Sequence, residues 1–150
     1  MAENDRQTLA EAFDREIDPL AEYATTFDEV DIDVFGMFLK DVLEPENPTE
    51  STIDSYERSI REWTEFMEVQ DRHPACPNED HVKRFVRREL EEKGNTRRTA
   101  KKKLWELNKI YRYWQNGAEF PHPIDYNPFQ IAKKKMSLST KRVKEPPRIP

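Results

Sequence analysis

Arg97, Arg98, Lys101, Lys102, Lys103, Lys109 and Arg112 all fall within NTRRTAKKKLWELNKIYRYW, residues 95–114, and Glu106 is the only acid among them. Guanidinium and ammonium groups gathered without carboxylates four residues away form a donor set suited to neutralising phosphates. A solvated helix face accounts for one short run of Lys and Arg, but not for a longer run that lacks acids. The stretch therefore points to a polyanionic partner.

Other chemistry-bearing residues are sparser. His73, Cys76 and His81 in HPACPNEDH have the side chains of a metal site. Structural zinc takes four ligands, however; Cys76 is the only thiol and His122 lies far along the chain. The segment reads as a polar interhelical loop, and no metal or cofactor is expected. Gly36, Gly94 and Gly117 are the only glycines, which leaves no Gly-rich phosphate loop, and no G-x-S-x-G elbow occurs. Carboxylate pairs are plentiful, but they sit in amphipathic stretches where nothing desolvates them. Trp63, Trp105, Tyr111 and Trp114 have rings that can stack on bases, although Trp63, Tyr111 and Trp114 fall on apolar faces and read as core.

The basic residues need helices to position them. In residues 97–114, Ala100, Leu104, Leu107, Tyr111 and Trp114 share one face at helical spacing, while Arg98, Lys102, Lys109 and Arg112 share the opposite one. Asn95 or Thr96 can cap this helix. Upstream, STIDSYERSIREWTEFMEVQ carries Ile53, Tyr56, Ile60, Trp63 and Met67 as an apolar stripe. Asn78 can cap a helix that buries Val82, Phe85, Val86 and Leu90, displays Lys83, Arg84, Arg87 and Arg88, and stops at Gly94. A helix over residues 28–43 is expected from Val34, Phe35, Phe38, Leu39, Val42 and Leu43. An earlier one is expected from Leu9, Phe13, Ile17 and Leu20 behind a capping box at Thr8. Past Gly117 the chain reads as a proline-punctuated tail anchored by Phe129 and Ile131. No segment alternates with period two, so the fold class is all-α.

Charge is polarised along the chain. The first fifty residues hold 15 of the 30 acids and only three bases, whereas Lys and Arg concentrate after residue 80, within a formal net charge of -5. A basic half suits a polyanion and the acidic half repels one. The 150 residues suit one domain with extensions, and one cysteine excludes an internal disulfide framework. With 37% charged residues and a start, MAENDRQTLAEAFDRE, unlike a signal peptide, a soluble cytoplasmic protein without membrane attachment is expected.

Set side by side, STIDSYERSIREWTEFM and RRTAKKKLWELNKIYRYW, followed by NPF at 127–129, resemble the opening and last long helices of the core-binding domain of tyrosine recombinases, the phage integrases. The likeness spans residues 30–148, and the acidity outside the basic helices is similar to that of haloarchaeal members. The resemblance implies a small orthogonal SAM-like bundle of four to five helices that clamps duplex DNA. Its domain would cover residues 29–132, after an acidic segment at 1–28 and before a basic linker at 133–150. Carried over by position, the groove-facing residues are Ser51, Thr52, Ser55 and Arg58 on the earlier helix and Arg98, Thr99, Lys102 and Lys103 on the later one. Arg87, Arg97, Lys101, Lys109 and Arg112 join them on charge, although Lys103 lies nearest the apolar flank.

The family's strand cleavage belongs to a second domain with an Arg, a Lys, a His-x-x-Arg and a nucleophilic Tyr. His81-Val-Lys-Arg84, Trp105 and Tyr113 follow in a similar order, but within the helices already assigned to binding. The expected partners are double-stranded DNA, the recombinase's own catalytic domain, missing here, and neighbouring protomers on DNA. The ending VKEPPRIP is where that family's interdomain linker begins, so either a shortened form or a stand-alone remnant is expected. Two alternatives stay open: a helical interaction module with an acidic docking half, and a self-contained nuclease or recombinase using Tyr113.

Overall fold

The computed structural model describes residues 18–136. Among them are six α-helices and no strand: α1 Ala21–Val30, α2 Val34–Phe38, α3 Glu50–Val69, α4 Glu79–Arg87, α5 Arg97–Asn116 and α6 Pro128–Lys135. Beyond α2 come a π-helical turn, Leu39–Leu43, and a 3-10 turn, Glu44–Glu46; a second π-helical turn, Arg88–Glu92, extends α4. The helix expected from Leu9, Phe13 and Ile17 lies outside the described residues.

Short polar side chains set the helix starts. Thr49 Oγ1 accepts from the Thr52 amide at 3.2 Å ahead of α3, and Thr96 Oγ1 does the same for Thr99 ahead of α5. Asn78 opens α4 with a reciprocal cap, its Oδ1 accepting from His81 N and its own amide donating to His81 Nδ1, both at 3.0 Å. Gly94, at φ 66, terminates the extended α4 in the left-handed region.

Two expectations need correction. The single helix over residues 28–43 is broken, because Asp31 turns left-handed at φ 55 to end α1 and the Asp33 carboxylate accepts from Gly36 N at 2.9 Å to start α2. Aspartates compete with the helical backbone in this way, and apolar periodicity does not register it. The tail is likewise more ordered than expected. Asn127 Oδ1 accepts from the amides of Phe129 and Gln130 at 3.0 and 3.2 Å, and Pro128 fits the first turn, so the Asn-Pro pair begins α6.

Helices α3 and α5 form the centre of the bundle. Their registers run oppositely: Ser55 and Ser59 of α3 meet Glu106 of α5, and Glu62 meets Lys103. Trp63 is fully buried, with ring centroids 5.2 Å from Phe85 on α4 and 5.1 Å from Phe129 on α6. Trp114 packs near the other end of α5, its Nε1 donating to the Val34 carbonyl at 3.1 Å. Each such ring contributes roughly 2–3 kcal/mol through burial. Leu20 and Phe27 also lie in this core, so α1 packs on the bundle as a working part of it.

Candidate nucleic-acid interface

One face of α5 is buried, and that fixes what the other presents. Ala100, Leu104, Leu107, Ile110, Tyr111 and Trp114 point inward, leaving Arg98, Lys102, Trp105, Lys109, Arg112 and Asn116 along the outer line at alternating spacings of four and three. Arg98, Lys102 and Arg112 are exposed, Lys101 is half-buried beside the line, and none of these four has an acidic partner among the described residues. Trp105 sits in the middle of the stripe and is 51% exposed.

Lys109 is held differently. Its ammonium lies 2.9 and 3.0 Å from the two carboxylate oxygens of Glu46, just ahead of α3, and 5.7 Å from the Trp105 ring centroid. Arg97 is exposed in the first turn of α5. Lys133 of α6 lies within electrostatic reach of Lys101, beside the stripe, a residue that sequence reasoning missed because α6 was read as tail. Partial burial, and then the charge of Lys101, lower its ammonium pKa.

The α3 candidates come next to α5, but several hydroxyls are occupied. Ser51 and Thr52 belong to the Thr49 cap, at 3.2 and 3.0 Å from its Oγ1, and Thr99 is bound to Thr96 Oγ1 at 3.1 Å. Ser55 Oγ donates to Glu106 Oε2 at 2.6 Å, while Ser59 Oγ takes Oε1 at the same distance. Arg58 is exposed on α3. Arg87 is also exposed, and it lines a cleft with Phe66, Val69, Arg84 and Arg88 that includes no residue of the stripe.

Lys103 does not join the exposed stripe. It is 8% exposed, and its ammonium is 2.6 Å from Glu62 and hydrogen-bonded to Glu89, itself completely buried. Burial alone would raise the Glu89 carboxyl, but hydrogen bonds and charge from Lys103 and Lys93 outweigh it and hold the group below its ordinary range. Burial would similarly lower Lys103, yet Glu62 and Glu89 keep it raised. Helical spacing placed Lys103 on an edge, and the acids that claim it come from α3 and the turn after α4. Such long-range pairs also qualify the inference drawn from missing i+4 acids: Lys103 and Lys109 are paired, whereas Arg98, Lys101, Lys102 and Arg112 are not.

The residues ordered like a cleavage site have separate structural roles. His81 is the reciprocal partner in the α4 cap, and burial lowers its pKa to about 4. Arg84 pairs with Asp80 at 2.9 Å. Tyr113 donates to Asp41 at 2.6 Å, and its phenol is pushed up to about 12 by desolvation, then by that hydrogen bond and the charge of Asp41. His73 Nδ1 accepts from Ala75 N at 3.0 Å, and burial raises the Cys76 thiol to about 12. Among the described residues, no group of three or more His, Cys, Asp or Glu side chains is placed to hold a metal ion. No described helix is long and apolar enough to cross a membrane.

Comparison with known proteins gives one result. The family model described as Phage integrase, N-terminal SAM-like domain, matches residues 35–116, more than half of the chain and the span from α2 to the end of α5. Neither curated proteins nor solved structures give a match.

Proposed function

The chain belongs to the phage integrase N-terminal SAM-like family, with residues 35–116 as its core-binding domain, and from that premise we propose that the outer face of α5 binds duplex DNA. The observation that carries this reading is the unpaired cationic stripe of Arg98, Lys102 and Arg112, flanked by Lys101 and Lys133. Phosphates are the partner such a surface lacks, and a helix fits the major groove. Arg97 and Arg58, both exposed, extend the surface towards the α5 N-terminus and α3. The amides in the first turn of α5 add a favourable end for phosphate. Ser51, Thr52 and Thr99 lie at the two helix starts, where cap hydroxyls can also meet phosphate oxygens.

In this reading the protein positions DNA for a site-specific tyrosine recombinase, and strand cleavage belongs to a separate catalytic domain. Lys141, Arg142, Lys144 and Arg148 give residues 133–150 the charge of a linker that tracks DNA towards that domain. The Glu46 to Lys109 pair favours one second reading, an acidic half that covers its own basic face and docks another protein. Duplex binding measured at two salt concentrations separates them. Phosphate contacts lose affinity steeply as salt rises, and a protein docking module would show no duplex binding at either concentration.

A further inference from the structure

Among the described residues, Trp105 is the large aromatic side chain that the bundle leaves open. Trp63 and Trp114 are 0% and 1% exposed, whereas Trp105 is 51% exposed on the outer line of α5. Its place on that line is specific: it lies seven residues after Arg98 and seven before Arg112. At the rise of an α-helix those intervals are each about 10 Å, so the two guanidinium-bearing positions stand about 21 Å apart with the indole midway. A helix lying in a major groove about 12 Å wide brings its ends against the flanking phosphate backbones and its middle over the base edges.

The surroundings of Trp105 match a base edge better than a phosphate. It forms one wall of a cleft of about 500 Å³ with Val42, Tyr113, Lys109 and Arg112. Asp41 and Glu46 stand on that flank, engaged by Tyr113 and Lys109, and their charge disfavours a phosphate there. Stacking along an unpaired strand needs successive aromatic platforms. Trp105 is alone on the stripe, and Tyr113 is tied to Asp41.

We propose that Trp105 is a specificity-determining contact, meeting thymine C5-methyl groups in the major groove while the cations around it hold the phosphates. This rests on the duplex-binding reading above and adds a sequence preference that the cations alone do not supply. The thymine methyl is the one apolar feature of the groove, so it suits an indole.

The test uses the full chain. Acrylamide quenching of tryptophan fluorescence reports Trp105, since the other two indoles are buried, and Trp105→Phe should remove the quenchable emission. Saturation with a random-sequence duplex should lower the quenching constant at least about two-fold. A duplex enriched from that pool by the wild-type protein should bind about four-fold more weakly when its thymines are replaced by deoxyuridine, the equilibrium value of one buried methyl. In Trp105→Ala that difference should vanish while the salt dependence stays. If no duplex binds, both readings fail. Binding with Trp105 still open to acrylamide, an indole already shielded in the free protein, or indifference to the thymine methyl would overturn this proposal alone.

Discussion

The Lys109 ammonium lies 2.9 Å from Oε1 of Glu46, so a carboxylate from the acidic half of the chain neutralises one cation of the basic stripe. DNA binding through that stripe has to share or displace this pair. Glu46→Gln should therefore tighten duplex binding and raise the salt slope by up to about one, as Lys109 is freed for a phosphate. Binding titrations across salt check it, and weaker binding by the variant would show that Glu46 helps to order the surface.

Lys103 and Lys102 are neighbours in sequence with opposite assignments. Removing Lys103 leaves Glu89 buried with one cation fewer, and Lys103→Ala should cost about 3 kcal/mol of stability, read by denaturant unfolding. Lys102→Ala should leave stability nearly unchanged and weaken duplex binding instead. A stable Lys103→Ala protein with weakened binding would return Lys103 to the interface.

Acid should loosen the fold through histidine. Burial lowers His73, His81 and His122 from 6.5, with His81 at about 4, so the unfolded chain takes up protons before the folded one. The stabilisation from their neutral forms is complete above about pH 6.5 and is lost as pH falls through the folded values, near 4 for His81. Thermal melting from pH 7 to 4 should show a falling midpoint. His81→Gln keeps an acceptor for Asn78 N and should flatten part of that dependence.

Tyr113 should form no covalent link to DNA. Its phenol is pushed up to about 12 by desolvation and by Asp41, which leaves almost no phenolate at neutral pH. Nicked duplex substrates should yield no phosphotyrosyl adduct. An adduct that disappears in Tyr113→Phe would assign strand cleavage to this chain.

Much of the bundle was legible because the long helices bury one face in regular stripes. Tyr56, Trp63 and Met67, then Leu104, Leu107, Tyr111 and Trp114, are buried as their spacing required. The break between α1 and α2 was not, since it depends on Asp31 and Asp33 acting against an apolar pattern that runs through them. At the candidate interface, spacing separated the Arg98, Lys102 and Arg112 line from the core, but it could not reveal acids arriving from other helices. Glu62 and Glu89 take Lys103, Glu46 takes Lys109, and Glu106 takes Ser55. These pairings connect residues far apart in sequence, and only the packed helices bring them together. Lys133 was missed for a related reason, because its relation to Lys101 exists only once α6 is folded against α5.

The most direct measurement is duplex affinity as a function of salt for the wild type and for Arg98→Ala, Lys102→Ala and Arg112→Ala. Each substitution should lower the magnitude of the log–log salt slope by about one and weaken different duplex sequences alike, with melting unchanged. Leu107→Ala and Trp114→Ala provide the contrast, since losing these buried side chains should cost about 2–5 kcal/mol of stability. Wild-type affinity and slope in all three cation variants would contradict the account and leave the outer face of α5 as a solvated surface.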